Sequence, residues 1–341
     1  MPGSVRRVLT LTFCCAFLLL LSSAAMAQTS YALTYLVSNI SGKASHTDAL
    51  LQNAWGMAYA PGGAFWVSDE ANGWSTLYDG NGVPQTLQVI VPTASGTGFG
   101  SPTGMVYNGS SEFKIDNWTS AFIFSTLDGS IQGWSGFNPS ATLVGATSAG
   151  AVYTGLAITS HTSGNTLFAA DAANNRVDMY NGTFQLIGSF TDPMSPAGFA
   201  PFGIQEISGQ VYVTFASTTG GSGGFIDIFT EAGTFVKRLV HGSPLNQAWG
   251  LAVAPRNFGP LSNTLLVSNN TSTGNINGFN LNTGKFVGTV KNSSGKAFAI
   301  NGLWGIEFGG GSTLNGKLNQ LFFTAGPNDS DGYFGVIKLH N

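Results

Sequence analysis

Beyond its first segment, the chain reads as short apolar runs separated by turn signals. Phe65-Trp66-Val67-Ser68-Asp69 and Ser75 to Tyr78 lead into a turn at Asp79-Gly80-Asn81-Gly82. The same order returns as Leu167 to Asp171, Arg176 to Tyr180 and Asn181-Gly182, and again as Thr264 to Ser268, Asn275 to Phe279 and Asn282-Thr283-Gly284. Runs of β-formers joined by Asn-Gly or Asp-Gly predict hairpins. No stretch past the first segment holds a 3.6-residue apolar period long enough to predict a helix.

A short signature opens each set: one residue, a glycine, then an aliphatic. It occurs as Ala54-Trp55-Gly56-Met57, Pro102-Thr103-Gly104-Met105, Tyr153-Thr154-Gly155-Leu156, Pro201-Phe202-Gly203-Ile204, Ala248-Trp249-Gly250-Leu251 and Leu303-Trp304-Gly305-Ile306. Six copies roughly 50 residues apart, built on a four-strand unit, predict an all-β, six-bladed β-propeller with four-stranded blades. The sixth copy supplies three strands only, ending with Tyr333 to Leu339. Ahead of the first copy, Tyr31 to Val37 is an unassigned strand. Placed on the outside of the last blade, it pairs an open edge and closes the ring.

These motifs resemble the NHL-like and TolB-like six-bladed propellers. Trp-Gly-(Met/Leu)-Ala at 55–58 and 249–252, Phe65-Trp66-Val67-Ser68-Asp69, Gly302-Leu303-Trp304-Gly305-Ile306 and Phe322-Phe323-Thr324-Ala325-Gly326-Pro327 are similar to an uncharacterised family of secreted bacterial proteins. The resemblance covers nearly all of the chain after residue 27. It implies a propeller and export, and no catalytic residues.

The first segment reads as an address. Arg6 and Arg7 precede an apolar run from Val8 to Leu21, and Ala25-Met26-Ala27 closes it with small residues. That is the layout of a secretory signal peptide over residues 1–27, leaving residues 28–341 as one propeller domain. Cys14 and Cys15, the 2 cysteines of the chain, leave with it. The mature chain then has no disulfide, no thiolate metal site and no cysteine nucleophile. It is expected to be secreted, extracellular or periplasmic, without a membrane anchor, and monomeric. Only 9% of residues are charged and the formal net charge is −3, with no basic stripe, so the footprint of a nucleic-acid binder is missing.

Candidate chemistry is sparse. Gly220-Gly221-Ser222-Gly223-Gly224 matches the pattern of a nucleophile elbow, but it falls between two strands rather than between a strand and a helix. His46, His161, His241 and His340 form no ligand pair by spacing. Asp329-Ser330-Asp331-Gly332 is only a fragment of a calcium loop. Antiparallel pairing brings the residues before each repeat glycine to the same face as the ends of the second strands. That collects Asn53, Asn246 and Asn301 with Asp69, Asp171 and Asn269 around one channel mouth. Asp69 and Asp171 are the candidate metal ligands, and Ca²⁺ or another hard divalent cation suits such oxygen donors. Trp55, Trp249 and Trp304 occupy one equivalent position in neighbouring blades, either as a stacking platform or as packing between blades.

Two function classes lead. One is a secreted binding or scaffold protein that recognises a small-molecule, saccharide or protein ligand at a channel mouth. The alternative is a metal-assisted hydrolase, lactonase or lyase with Asp and Asn ligands on the axis. A structural extracellular module is a third. The export reading has a direct test: intact-mass analysis of the exported chain should find Gln28 at its start. A mature chain that retains Cys14, or carries a lipid on it, would overturn it.

Overall fold

The computed structural model describes residues 29–340 and Gly3. The signal-peptide reading of residues 1–27, with Arg6, Arg7, Cys14 and Cys15, therefore lies outside the described residues apart from Gly3. Six small antiparallel sheets stand in a ring, giving an all-β six-bladed propeller. The first blade is Ala54–Tyr59, Phe65–Asp69, Trp74–Tyr78 and Val89–Ile90, and the third is Tyr153–Ile158, Thr166–Asp171, Arg176–Asn181 and Leu186–Phe190. The helical elements among the described residues are two 3₁₀ turns, Gly259–Leu261 and Pro327–Asp329.

The ring closes as its strands predict. Ser30–Ser38 pairs antiparallel with Tyr333–His340, with Tyr31 opposite Leu339 and Ser38 opposite Tyr333. Tyr31 also anchors the strand to the fifth blade, its hydroxyl donating to the Phe258 carbonyl at 2.7 Å. Three two-residue strands were not legible from the pattern: His46–Thr47, and Lys114–Ile115 with Trp118–Thr119, which form a separate hairpin. His46–Thr47 adds to the outside of Ser30–Ser38 in parallel, as a fifth strand of that blade. Two residues are too few to carry a period of alternation.

The hydrophobic core is divided among the six seams between blades. Trp66 of blade one packs on Phe122 of blade two with ring centroids 4.2 Å apart. Phe65 of blade one meets Phe322 of blade six at 4.4 Å. Both faces of every sheet are therefore covered by neighbours, which explains runs such as Phe65–Asp69 that are buried throughout instead of alternating.

The repeat glycine has a specific physical role. In all six blades the ladder between first and second strands slips at or beside it, for instance between Ala54 and Met57, Pro201 and Ile204, and Leu303 and Ile306. A bulge of this kind bends the strand and re-aims a side chain. Here it presses the strand against the next blade. A Cβ on Gly56 would lie 2.5 Å from the Thr103 carbonyl oxygen, one on Gly250 2.7 Å from that of Trp304, and Gly203 has still less room against Trp249.

Side-chain hydroxyls take over the hydrogen bonds that the bulge gives up. Gly203 N–H donates to Thr214 Oγ1 at 2.8 Å, and that hydroxyl donates onward to the Ala248 carbonyl at 2.7 Å. Ser268 links Gly250 N–H to the Trp304 carbonyl in the same way, and Thr324 links Gly305 N–H to the Trp55 carbonyl. In blades two and three the first strand supplies the hydroxyl itself: Thr103 donates to the Tyr153 carbonyl at 2.7 Å and Thr154 to the Phe202 carbonyl at 2.8 Å.

Gly203→Ala should therefore cost upwards of ~3 kcal/mol, since the obstructing atoms are backbone of the adjacent blade. Gly136→Ala, with nothing within 4 Å of the added methyl, serves as the control and should leave stability unchanged. Urea unfolding of both variants measures the difference, and equal midpoints would refute the close-approach account.

Candidate functional site

The bulges decide what fills the axis. Trp55, Trp249 and Trp304 come together there with Phe202 and Leu127 packed against them. The Trp55 and Trp304 rings stack at 3.7 Å and 23°, and Trp249 stands edge-on to both at 6.3 and 5.9 Å. Trp249 reaches across the ring, its Nε1 donating to the Thr154 carbonyl of blade three at 2.8 Å. Trp304 Nε1 donates to Asn53 Oδ1 at 3.1 Å. None of the three indoles is more than 9% exposed, so they form a plug across the channel. They are neither an open stacking platform nor a wedge confined to one seam.

The polar residues expected at that mouth are engaged locally. Asn53 is buried, and its Nδ2 donates to Glu70 Oε2 at 2.7 Å. Asn269 caps the turn before blade five, accepting from Asn246 N–H at 3.1 Å and donating to the Pro244 carbonyl at 2.7 Å. Asn301 is half-buried in the turn before blade six. Asp171 is buried, accepts from Val152 N–H at 3.1 Å and from Asn174 Nδ2 at 2.6 Å, and has Arg176 Nε 3.5 Å away. Asp69 is buried as well, but neither of its carboxyl oxygens has a hydrogen-bond partner among the described residues. Burial pushes its pKa well above the usual carboxylate range, and the Asp48 charge adds to the rise. Among the described residues, no three His, Cys, Asp or Glu side chains gather at one point as a metal cluster would require.

On the other side of the plug the channel is open. A cavity of about 570 Å³ runs from the repeat glycines to the ends of the first strands. Its wall includes Tyr59, Tyr107, Ser160, Gln205, Glu206 and Glu307. Tyr59 is fixed by donating its hydroxyl to the Phe308 carbonyl at 3.0 Å, across the seam between blades one and six. Burial, and then the Glu307 charge, raise its pKa. Glu206 is held in its own turn, accepting from Gly209 N–H at 2.6 Å. Glu307 is different. Desolvation alone pushes its carboxyl up to about 8, with no hydrogen bond or opposite charge acting on it. It is partly exposed and stands on the cavity wall.

These wall residues escaped the sequence reading, though a signal was there. Two places after the repeat glycine stand Ala58, Val106, Ala157, Gln205, Ala252 and Glu307, so one acid replaces small or neutral residues.

Against known proteins, no protein-family model matches the chain. "Uncharacterized protein R648" of Acanthamoeba polyphaga mimivirus is 30% identical over an alignment of 344 residues, which covers 91% of this chain and 81% of that protein. The chain belongs to the same family as R648. "Uncharacterized protein L690" of the same virus is 28% identical over 338 residues, covering 90% of this chain and 86% of its own length. Among solved structures, a streptogramin B lyase superposes with a TM-score of 0.54 at 12% identity, covering 91% of this chain and 98% of its own. A gluconolactonase from Xanthomonas campestris gives 0.54 at 14% identity, covering 85% and 88%. At such identities the two structures share the propeller fold with this member of the R648 family, and no site residue transfers.

The contrast between the two acids yields a pair of expected outcomes. Asp69→Asn should raise the melting temperature at neutral pH. An acid whose folded pKa lies above its unfolded one costs stability as pH climbs from the unfolded to the folded value, so the gain should vanish at low pH. Asp171→Asn should instead lose about 1–3 kcal/mol, because its carboxylate is fully partnered. Thermal melts between pH 3 and 8 report both, and a destabilised Asp69→Asn at neutral pH would contradict the assignment.

Proposed function

We propose that this protein is an exported binding protein that takes a small ligand in the open half of its channel. The observation that carries the reading is the cavity of about 570 Å³, blind at the tryptophan plug and open at the opposite mouth. Its size matches that of small-molecule pockets, and its wall mixes aromatic rings with a few polar groups, which is how such sites combine affinity with orientation. The export half rests on Arg6, Arg7, the Val8 to Leu21 run and Ala25-Met26-Ala27, together with the likeness to secreted bacterial propellers.

The metal-assisted hydrolase or lyase reading would need oxygen donors converging on the axis. Asp171, Asn53 and Asn269 are instead occupied within their own blades and turns. Binding in the channel asks nothing of them. Fold likeness to a lactonase and a lyase leaves function open, because one fold hosts many chemistries.

Mouth-blocking variants test the site. Ser160 and Val253 line the cavity and are exposed, so Ser160→Trp and Val253→Trp narrow the entrance without touching a seam. In ligand-observed NMR against a panel of small sugars, lactones and amines, compounds that bind the parent should lose about tenfold or more in affinity, roughly 1.4 kcal/mol, in both variants. Binding that is indifferent to both would place the site elsewhere.

A further inference from the structure

We propose that the channel is selective for a small organic cation, an alkylamine or quaternary ammonium, held by the Glu307 carboxylate against the aromatic wall. The proposal rests on the channel-binding reading above and names its ligand class.

Charge is the first argument. Among the described residues, the ionisable groups on the cavity wall are Glu206, Glu307 and the tyrosine hydroxyls, with no Lys, Arg or His. Glu206 already accepts a backbone hydrogen bond from Gly209. Glu307, by contrast, has no hydrogen-bond or charged partner among the described residues, and it lines a channel that the indoles close at one end. A desolvated carboxylate without a counter-charge is costly, and an incoming cation offsets that cost where a neutral ligand does not. An anion gains nothing from the neutral carboxyl and is repelled by the ionised one.

Ring faces are the second argument. Tyr59, Tyr107, Phe308 and Trp249 border the same cavity. Where such a ring turns its face to the cavity it attracts an ammonium group, and the attraction strengthens where water is excluded. A wall that pairs one carboxyl with several rings therefore discriminates between a cation and its uncharged isostere by two mechanisms at once.

A further consequence is coupling to protons. With its carboxyl pushed up to about 8, Glu307 is mostly protonated at pH 7 in the empty channel. A cation favours the charged form, so binding should release close to one proton at that pH and tighten as pH rises toward 8. Other groups near Glu307 do not obscure this. Tyr59, from blade one, stays protonated, because burial and the Glu307 charge raise its pKa. The flanking first strand of blade five, Ala248–Val253, and the paired strand Leu321–Ala325 carry no titratable side chain.

Calorimetric titration at pH 7 with choline and with its uncharged carbon isostere, 3,3-dimethylbutan-1-ol, tests the assignment. Choline should bind the parent protein at least tenfold more tightly. Two buffers of different ionisation enthalpy should report nearly one proton released per choline. Glu307→Gln should erase the tenfold preference and the proton release while its melting temperature stays equal or rises, and Ser160→Trp should weaken both ligands together. Equal affinity for the two probes, or a preference that survives Glu307→Gln, would overturn the cation assignment and leave channel binding standing. If neither these probes nor the wider panel respond to the mouth variants, both readings fall.

Discussion

The six inner strands crowd so closely at the axis that each must give its neighbour backbone room at one point. The bulge at every Xaa-Gly step meets that demand. It pushes the strand toward the next blade, the missing Cβ admits the neighbouring carbonyl, and a Ser or Thr hydroxyl bridges the groups that the slipped ladder leaves unpaired. A buried amide or carbonyl without a partner would cost ~1–3 kcal/mol, so the hydroxyl is as necessary to the arrangement as the glycine. Blade one departs from the pattern. Its equivalent hydroxyl, Ser68 Oγ, has no partner among the described residues, and Ser75, Thr76 and Asp69 beside it are unsatisfied too.

The same step gives the channel its polarity. The residue before the glycine is aimed at the axis, and its size decides whether the axis is filled. Tryptophan in blades one, five and six and phenylalanine in blade four fill it, while the two threonines of blades two and three leave the space into which Trp249 reaches. Large and small residues at one repeat position are thus complementary parts of a single plug. Beyond it, the first strands run on toward their hairpins with Ala58 and Ala252 two places past the glycines, and a cavity remains.

Buried polar groups divide according to what they serve. Gln132, Asp178, Asp227 and Asn277 stand at one equivalent place in the third strands, and each is tied to a neighbour: Thr142, Tyr153, Arg238 and Thr289 respectively. Gln132, Asp227 and Asn277 tie the third strand to the fourth and Asp178 ties it to the first, with the acids paired to a base or a phenol rather than presented to a ligand. Glu307 is held by no such partner, and that difference, rather than its charge alone, separates a group available to a ligand from one consumed by the fold.

Fold, blade count and closure were legible in the sequence because they depend on local rules repeated six times. Turn residues mark hairpins, the glycine marks the bulge, and one spare strand before Asn53 matches one missing strand after Tyr333. The clustering of Trp55, Trp249 and Trp304 was legible as well, since equivalent positions in a ring must be neighbours. Which mouth the indoles close was not, because that depends on side-chain direction at a bulge, where the ordinary alternation of a strand fails. Nor could the sequence separate Asp69, buried and unpartnered, from Asp171, capped on both oxygens, although both end a second strand. Their surroundings come from residues distant in the chain: Asp48 beside Asp69, and Val152, Asn174 and Arg176 around Asp171. Spacing along the chain sets which residues share a level of the ring; only tertiary packing decides whether a side chain at that level meets a hydrogen-bond donor, another ring or open space.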